Sequence, residues 1–315
     1  MNKSIMKKFL ISFFSVILLT FTSCETLSLI GDLLGQESDP TAAAVGNSLK
    51  SISKASESIT PENEYYIGRS VAASITAAYP LYKNAKLTQK YLNDICSALV
   101  LNSDVPYIYN GYYVAIMDSD EINAMSTPGG HIFISRGLIQ STESEDALAA
   151  VIAHEIAHIQ LKHSVSAIKN SRLTSAITST TKASVLIAAD KHFSENSSLN
   201  NDLYEELKKS ANELLSSQEE IVNALVSSGF SKEQEYQADA YAIRLMSRAG
   251  YDPSQMLEML HKIEDNHTKG GWNQTHPKAE KRIKEAQKVL KTINRKAADK
   301  NVRQSRFEKM SSDIM

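Results

Sequence analysis

At 315 residues, with 42% hydrophobic and 22% charged, the chain has the balance of a globular protein and not of a disordered or fibrous one. Its 34 Lys and Arg against 36 Asp and Glu give no positive excess to attract a polyanion, so no nucleic-acid partner is expected. Two cysteines, Cys24 and Cys96, exclude a disulfide scaffold, and Cys96 reads as a buried apolar thiol.

Taken in order, the chain opens with Lys3, Lys7 and Lys8 ahead of an apolar stretch from Phe9 to Phe21, the pattern of an export signal over residues 1–23. That stretch is shorter than the roughly 20 residues a spanning helix needs, so cleavage is expected. Phe21-Thr22-Ser23-Cys24 resembles the lipobox of bacterial lipoproteins, although Phe21 stands where Leu is usual. The resemblance implies lipidation of Cys24 and a membrane anchor. Residues 24–60, rich in Ser, Ala, Thr and Gly, read as a tether.

Thr60-Pro61-Glu62 predicts a helix start, with Thr as cap and Pro at the first position. A second helix is predicted over Thr88 to Leu101. Tyr112 to Ile116 and His131 to Ile134 read as strands, separated by Asn123 to Gly130 with its Pro128-Gly129-Gly130 break. Thr142-Glu143-Ser144-Glu145 matches a capping box before the apolar run Ala147 to Ile159. Residues 164–230 are nearly free of Gly and Pro and read as two helices broken near residues 192–201. Ser231-Lys232-Glu233-Gln234 opens a helix ending at Gly250, Asp252-Pro253 opens the next, and a last one follows His276-Pro277. Residues 294–315 alternate both charges and read as a frayed, solvated tail. The fold class is therefore α+β, mostly α-helical, with a small sheet.

The chemistry concentrates on His154-Glu155-Ile156-Ala157-His158. Residues four apart share a helical face, so both imidazoles can meet one cation while Glu155 beside them takes a proton from an attacking water. Without a metal, two imidazoles and a carboxylate on so apolar a helix would be costly to bury. Glu235 and Asp239 share a face of another helix; one carboxylate can ligate while the other accepts the free N–H of a liganding imidazole. Two acids four apart are otherwise a common solvated pair.

Three blocks carry a resemblance. They are Asn123-Ala124 with Pro128-Gly129-Gly130-His131-Ile132-Phe133-Ile134-Ser135-Arg136-Gly137-Leu138; His154 to His158; and Glu235-Tyr236-Gln237-Ala238-Asp239-Ala240, followed by His276-Pro277 and Arg282-Ile283. Over about residues 60 to 290 the chain resembles the HtpX-like and prenyl-protein protease family, metallopeptidase family forty-eight, within the gluzincins. The resemblance implies a zincin-like domain over residues 61–293 holding one Zn²⁺ per chain through His154, His158 and Glu235. It makes Glu155 the base, lets Asp239 support the ligands, and puts His276 near the metal. There His276 could donate to the developing oxyanion, its alternative being a cap for the helix at Pro277. Arg282 is expected to brace the fold through an ion pair.

The resemblance also implies that the strand from Gly130 to Ile134 borders the cleft. An extended substrate could add there as a further strand, with Gly130, His131 and Ile132 as substrate-binding residues. His163, His192, His261 and His267 stand at no ligand spacing and are assigned nothing. Residues 164–230 replace the hydrophobic helices of membrane-embedded members, so the chain looks instead like the lipoprotein members of the bacterial envelope. The expectation is a zinc endopeptidase acting on extended or misfolded envelope proteins, anchored through Cys24 at the outer membrane and facing the periplasm. The alternative is an assembly factor or holdase with latent peptidase activity. The 164–230 insertion could cover the cleft as a lid.

Overall fold

A computed structural model describes residues 59–167, 169, 229–265, 276, 279–294 and 297–314. The chain divides into two units, and all of these residues except Lys169 belong to the one formed by Ile59–Ile168 and Leu214–Met315. The export signal, Cys24, nearly all of the tether and of the 164–230 insertion, and His192, His267 and Pro277 lie outside the described residues.

Helix α1 (Pro61–Ala78) begins as expected: Thr60 Oγ1 accepts from the Asn63 N–H at 3.2 Å, and Pro61 opens the first turn. Helix α2 (Lys86–Leu101) buries Tyr91, Leu92, Ile95, Cys96 and Leu99 at helical spacing. Its N-cap Ala85 supplies no side-chain bond; Asp313, far off in sequence, accepts instead from the Leu87 and Thr88 N–H groups at 2.8 and 3.2 Å.

Three strands form one sheet: β1 (Tyr113–Met117), β2 (Ala124–Ser126) and β3 (His131–Ser135), in the order β1-β3-β2. β3 runs parallel to β1 and antiparallel to β2. The sequence reading leaves β2 inside a connection because three residues, all buried, show no alternation. The turn from β2 to β3 requires glycine. Gly129 and Gly130 have φ of 75° and 100°, and a Cβ on Gly130 would stand 2.3 Å from the Gly111 carbonyl oxygen.

In this order the strand expected to receive substrate along Gly130, His131 and Ile132 lies between two others. β3 is the central strand, and both of its edges are taken. The Gly130 carbonyl accepts from Tyr113 N–H and that of His131 from Thr127 N–H, each at 2.9 Å, while Ile132 pairs with Val114 on one side and Ser126 on the other. The outer edge of β1 is also covered, since Asn93 and Gln89 of α2 accept from the Val114 and Ile116 N–H groups at 2.9 and 3.2 Å. Among the described residues, no backbone partner lies on the far side of β2.

Short helix α3 (Arg136–Ser141) is capped by Ser135, whose hydroxyl accepts from Leu138 N–H at 3.1 Å. Helix α4 (Glu145–Gln160) starts at Ser144, which accepts from Ala147 N–H at 3.2 Å. The expected cap, Thr142, instead ends α3. Every residue of α4 from Glu145 to Ile159 is buried, because α2, β2, α5 and α6 surround it. A helix with no solvent face belongs to the interior. Helix α5 (Lys232–Ala249) carries the expected reciprocal capping box of Ser231 and Gln234 and ends at Gly250, φ 85°. Helices α6 (Gln255–Asp265) and α7 (Ala279–Leu290) follow.

The expected solvated tail is instead helix α8 (Lys300–Met310), with Arg303, Phe307 and Ile314 buried. Its charges meet complementary groups: Arg303 Nε lies 2.9 Å from the Asp146 carboxylate and Arg306 Nε donates to Glu145 at 2.6 Å. Two acids buried at the start of α4 need such partners. Among the described residues, no helix is long and apolar enough to cross a membrane.

Candidate metal centre

His154 and His158 stand one turn apart on α4, Glu235 and Asp239 one turn apart on α5, and these two helices pack together. His276 joins them from the segment before α7. None of the five is more than 2% exposed. His154 Nε2 lies 3.0 Å from His158 Nε2, 3.4 Å from His276 Nδ1 and 3.5 Å from Glu235 Oε2. Glu235 Oε1 lies 2.8 Å from His276 Nδ1 and 3.6 Å from His158 Nε2. Corners of a tetrahedron with metal bonds of about 2.0–2.1 Å stand about 3.3–3.4 Å apart, and these approaches bracket that value. His154, His158, Glu235 and His276 thus form a group that could hold a metal ion.

Two further observations test that fit. Glu155, Glu235 and Asp239 place three buried carboxylates against the buried guanidinium of Arg282, a negative excess that a cation would offset. Both oxygens of Glu155 are buried without a hydrogen-bond partner among the described residues, with His276 Nε2 3.8 Å from Oε1. A carboxylate so placed suits a water held at the centre of the cluster.

The electrostatics follow the same balance. Burial disfavours charge on His154, but its contacts with Asp239 and Glu235 outweigh that and lift its imidazole to about 9. Burial and the neighbouring His154 push His158 well down. Burial opposes ionisation of Glu235, yet His276 and Arg282 hold its carboxyl well below the usual range, and Arg282 likewise prevails over burial at Asp239. The cluster therefore draws positive charge towards His154.

Arg282, expected only to brace the fold, grips the site itself. Its Nε and Nη2 donate to the two Asp239 oxygens at 2.8 and 2.7 Å, and its Nη1 lies 2.9 Å from Glu235 Oε2. Asp239 in turn approaches His154 Nδ1 at 3.0 Å, which turns the Nε2 of that ring towards the cluster. His131 lies outside the group, stacked on Tyr65 with ring centroids 5.5 Å apart.

His163, to which the sequence reading assigns nothing, is buried with its Nδ1 2.9 Å from Nδ1 of His158. Phe230 stacks on the His158 ring at 4.0 Å. No spacing rule announces either contact, since both depend on breaks in the helices. His261 is exposed.

Residues 86–290, more than half of the chain, match the model of peptidase family M48. The beta-barrel assembly-enhancing protease of Yersinia pestis is 25% identical over 212 residues, 67% of this chain and 40% of that protein. The protein of the same name from Escherichia coli (strain K12) is 24% identical over 203 residues, 64% of this chain and 38% of that protein. The mitochondrial metalloendopeptidase OMA1 of Schizosaccharomyces pombe is 29% identical over 173 residues, 53% of this chain and 43% of that protein. This chain spans about two fifths of the length of these relatives. With the family match running through α4 and α5, the chain belongs to peptidase family M48, whose members are zinc-dependent metallopeptidases.

Proposed function

We propose that the chain is a zinc-dependent endopeptidase of the bacterial cell envelope, cleaving extended or misfolded envelope proteins. The observation that carries this reading is the buried cluster of His154, His158 and Glu235 beside a Glu155 carboxylate that has no hydrogen-bond partner among the described residues. In it, His154, His158 and Glu235 bind one Zn²⁺ and Asp239 orients His154. When bound, the ion lowers the pKa of a water towards about 7 and polarises the scissile carbonyl. Glu155 takes the proton of the attacking water and delivers it to the leaving amine, a transfer that contributes about 10²–10⁴-fold. His276, whose Nε2 lies 3.8 Å from Glu155 Oε1, serves as donor to the developing oxyanion. An extended substrate pairs through its backbone with the sheet that Gly130, His131 and Ile132 enter, which leaves side chains less constrained than backbone and favours unfolded segments.

The names of the bacterial relatives and the export-signal pattern support an envelope setting, with a lipid on Cys24 holding the protein to the outer membrane on its periplasmic side. The test is zinc content and casein cleavage by the chain from residue 25, beside Glu155→Gln. That variant should keep zinc and lose at least about a hundredfold in rate. Zinc in both with cleavage by neither would leave a holdase or assembly factor.

One observation favours a latent form of the same enzyme. His276 Nδ1 stands among the other ligand atoms, and four protein ligands would leave no corner for water. His276→Ala separates the roles: slower cleavage supports the oxyanion donor, faster cleavage the latent form.

A further inference from the structure

Five residues beyond His158, His163 lies 3% exposed, its Nδ1 2.9 Å from Nδ1 of His158 and its Nε2 3.3 Å from the amide oxygen of Gln237 on α5. On an unbroken helix, side chains five apart diverge by about 140°. Contact is made because Lys162, just past the C-cap Leu161, adopts a left-handed φ of 60° and folds the next turn back over the ligand face.

The Nε2 of His158 faces the cluster, 3.0 Å from His154 Nε2 and 3.6 Å from Glu235 Oε1. A neutral imidazole that ligates through Nε2 carries its proton on Nδ1 and needs an acceptor there. The acceptor in place is Nδ1 of His163. That ring must then carry its own proton on Nε2, where the Gln237 oxygen accepts it. One end of the chain is an amide oxygen that only accepts, so the tautomer of both rings follows.

We propose that His163 and Gln237 form a neutral relay that fixes the tautomer and ring orientation of His158, making His163 a positioning residue for zinc. This rests on the reading of His154, His158 and Glu235 as zinc ligands. The two imidazoles are held differently: His154 faces the carboxylate of Asp239, itself clamped by Arg282, whereas His158 faces an uncharged ring. The carboxylate strengthens His154 as a ligand more than the relay strengthens His158.

The experiment measures zinc affinity of the full chain by competition with a chromophoric chelator, together with the visible absorption of its Co²⁺ form and the melting of the chelator-stripped protein. His163→Phe keeps a ring without an acceptor; His163→Asn puts an amide oxygen where Nδ1 stands. His163→Phe should bind zinc about 10–100-fold more weakly and shift the Co²⁺ bands. His163→Asn should recover most of that loss, and Gln237→Glu, a change at an exposed position, should bind more tightly than the unaltered chain. Unaltered affinity and Co²⁺ bands in His163→Phe overturn the relay, as does His163→Asn no better than His163→Phe when both melt normally. Should His163→Phe not fold, unchanged or weaker binding by Gln237→Glu overturns it. A His158→Ala control separates the two readings. Zinc bound by no protein, the unaltered chain included, sinks the metal site itself; zinc lost in His158→Ala but fully held by His163→Phe sinks only the relay.

Discussion

Replacing Arg282 with Met tests whether the site is held by its buried guanidinium. Met follows the apolar stem of Arg while removing three close contacts, at 2.8 and 2.7 Å to Asp239 and 2.9 Å to Glu235. Both carboxylates are then buried without their counter-charge, and removing one partner of a buried pair costs about 3–5 kcal/mol. In a folded unit of this size each kcal/mol lowers Tm by about 2–4 °C, so a fall of about 6–20 °C is expected. The measurement is thermal and urea unfolding of the EDTA-treated protein, which keeps metal linkage out of the comparison. Arg282→Met combined with Asp239→Asn should be more stable than Arg282→Met alone, because the second change removes a charge that the first leaves unpaired. A loss below about 1 kcal/mol, the value of an exposed pair, would refute the argument, and so would strict additivity of the two changes.

Three further outcomes follow from the same structure. Burial pushes the Cys96 thiol up to about 12, so between about pH 8.5 and that value the unfolded chain gives up a proton that the fold keeps. Stability is intact below about pH 8.5 and falls by about 1.4 kcal/mol per unit above it. Cys96→Val should therefore flatten the alkaline slope of the urea midpoint, and an unchanged slope would count against a buried neutral thiol. Asp313→Ala removes the borrowed cap of α2 and should cost about 0.5–2 kcal/mol in urea unfolding, whereas no cost would mean that water caps the helix equally well. Chelator treatment should lower Tm and added Zn²⁺ restore it while Mg²⁺ does not, because imidazoles and one carboxylate suit zinc better than a hard octahedral ion. Equal recovery with Mg²⁺ would contradict the donor set.

Elements defined by local chemistry were readable from the residues. The Thr60-Pro61 start, the Ser231–Gln234 box and the Gly250 stop all lie where they were expected, since each is a contact among residues within four positions. What could not be read depends on distant partners. α2 takes its cap from Asp313, and the charges of α8 make sense only against Glu145 and Asp146. β2 is too short and too buried to alternate, and its position beside β3 decides which strand lies at the edge of the sheet. His163 meets His158 through a left-handed residue at Lys162, a conformation that its side chain does not signal.

Helix α4 shows why the proposed catalytic motif was nonetheless legible. Buried from end to end, it has no solvent face to which a polar residue could belong, so each polar group there requires a partner from elsewhere in the fold. Glu145 takes Arg306 and Tyr91; Asp146 takes Arg303 and the Asp252 N–H. His154 faces Asp239 and His158 faces His163, each through Nδ1, which turns both Nε2 atoms towards Glu235. Glu155 differs from all of these, having two buried oxygens and no hydrogen-bond partner among the described residues. A carboxylate left in that state would cost several kcal/mol if nothing met it. The group on α4 that no hydrogen bond among the described residues satisfies is thus the one that the proposed chemistry would use, and a water with a proton to lose would complete it.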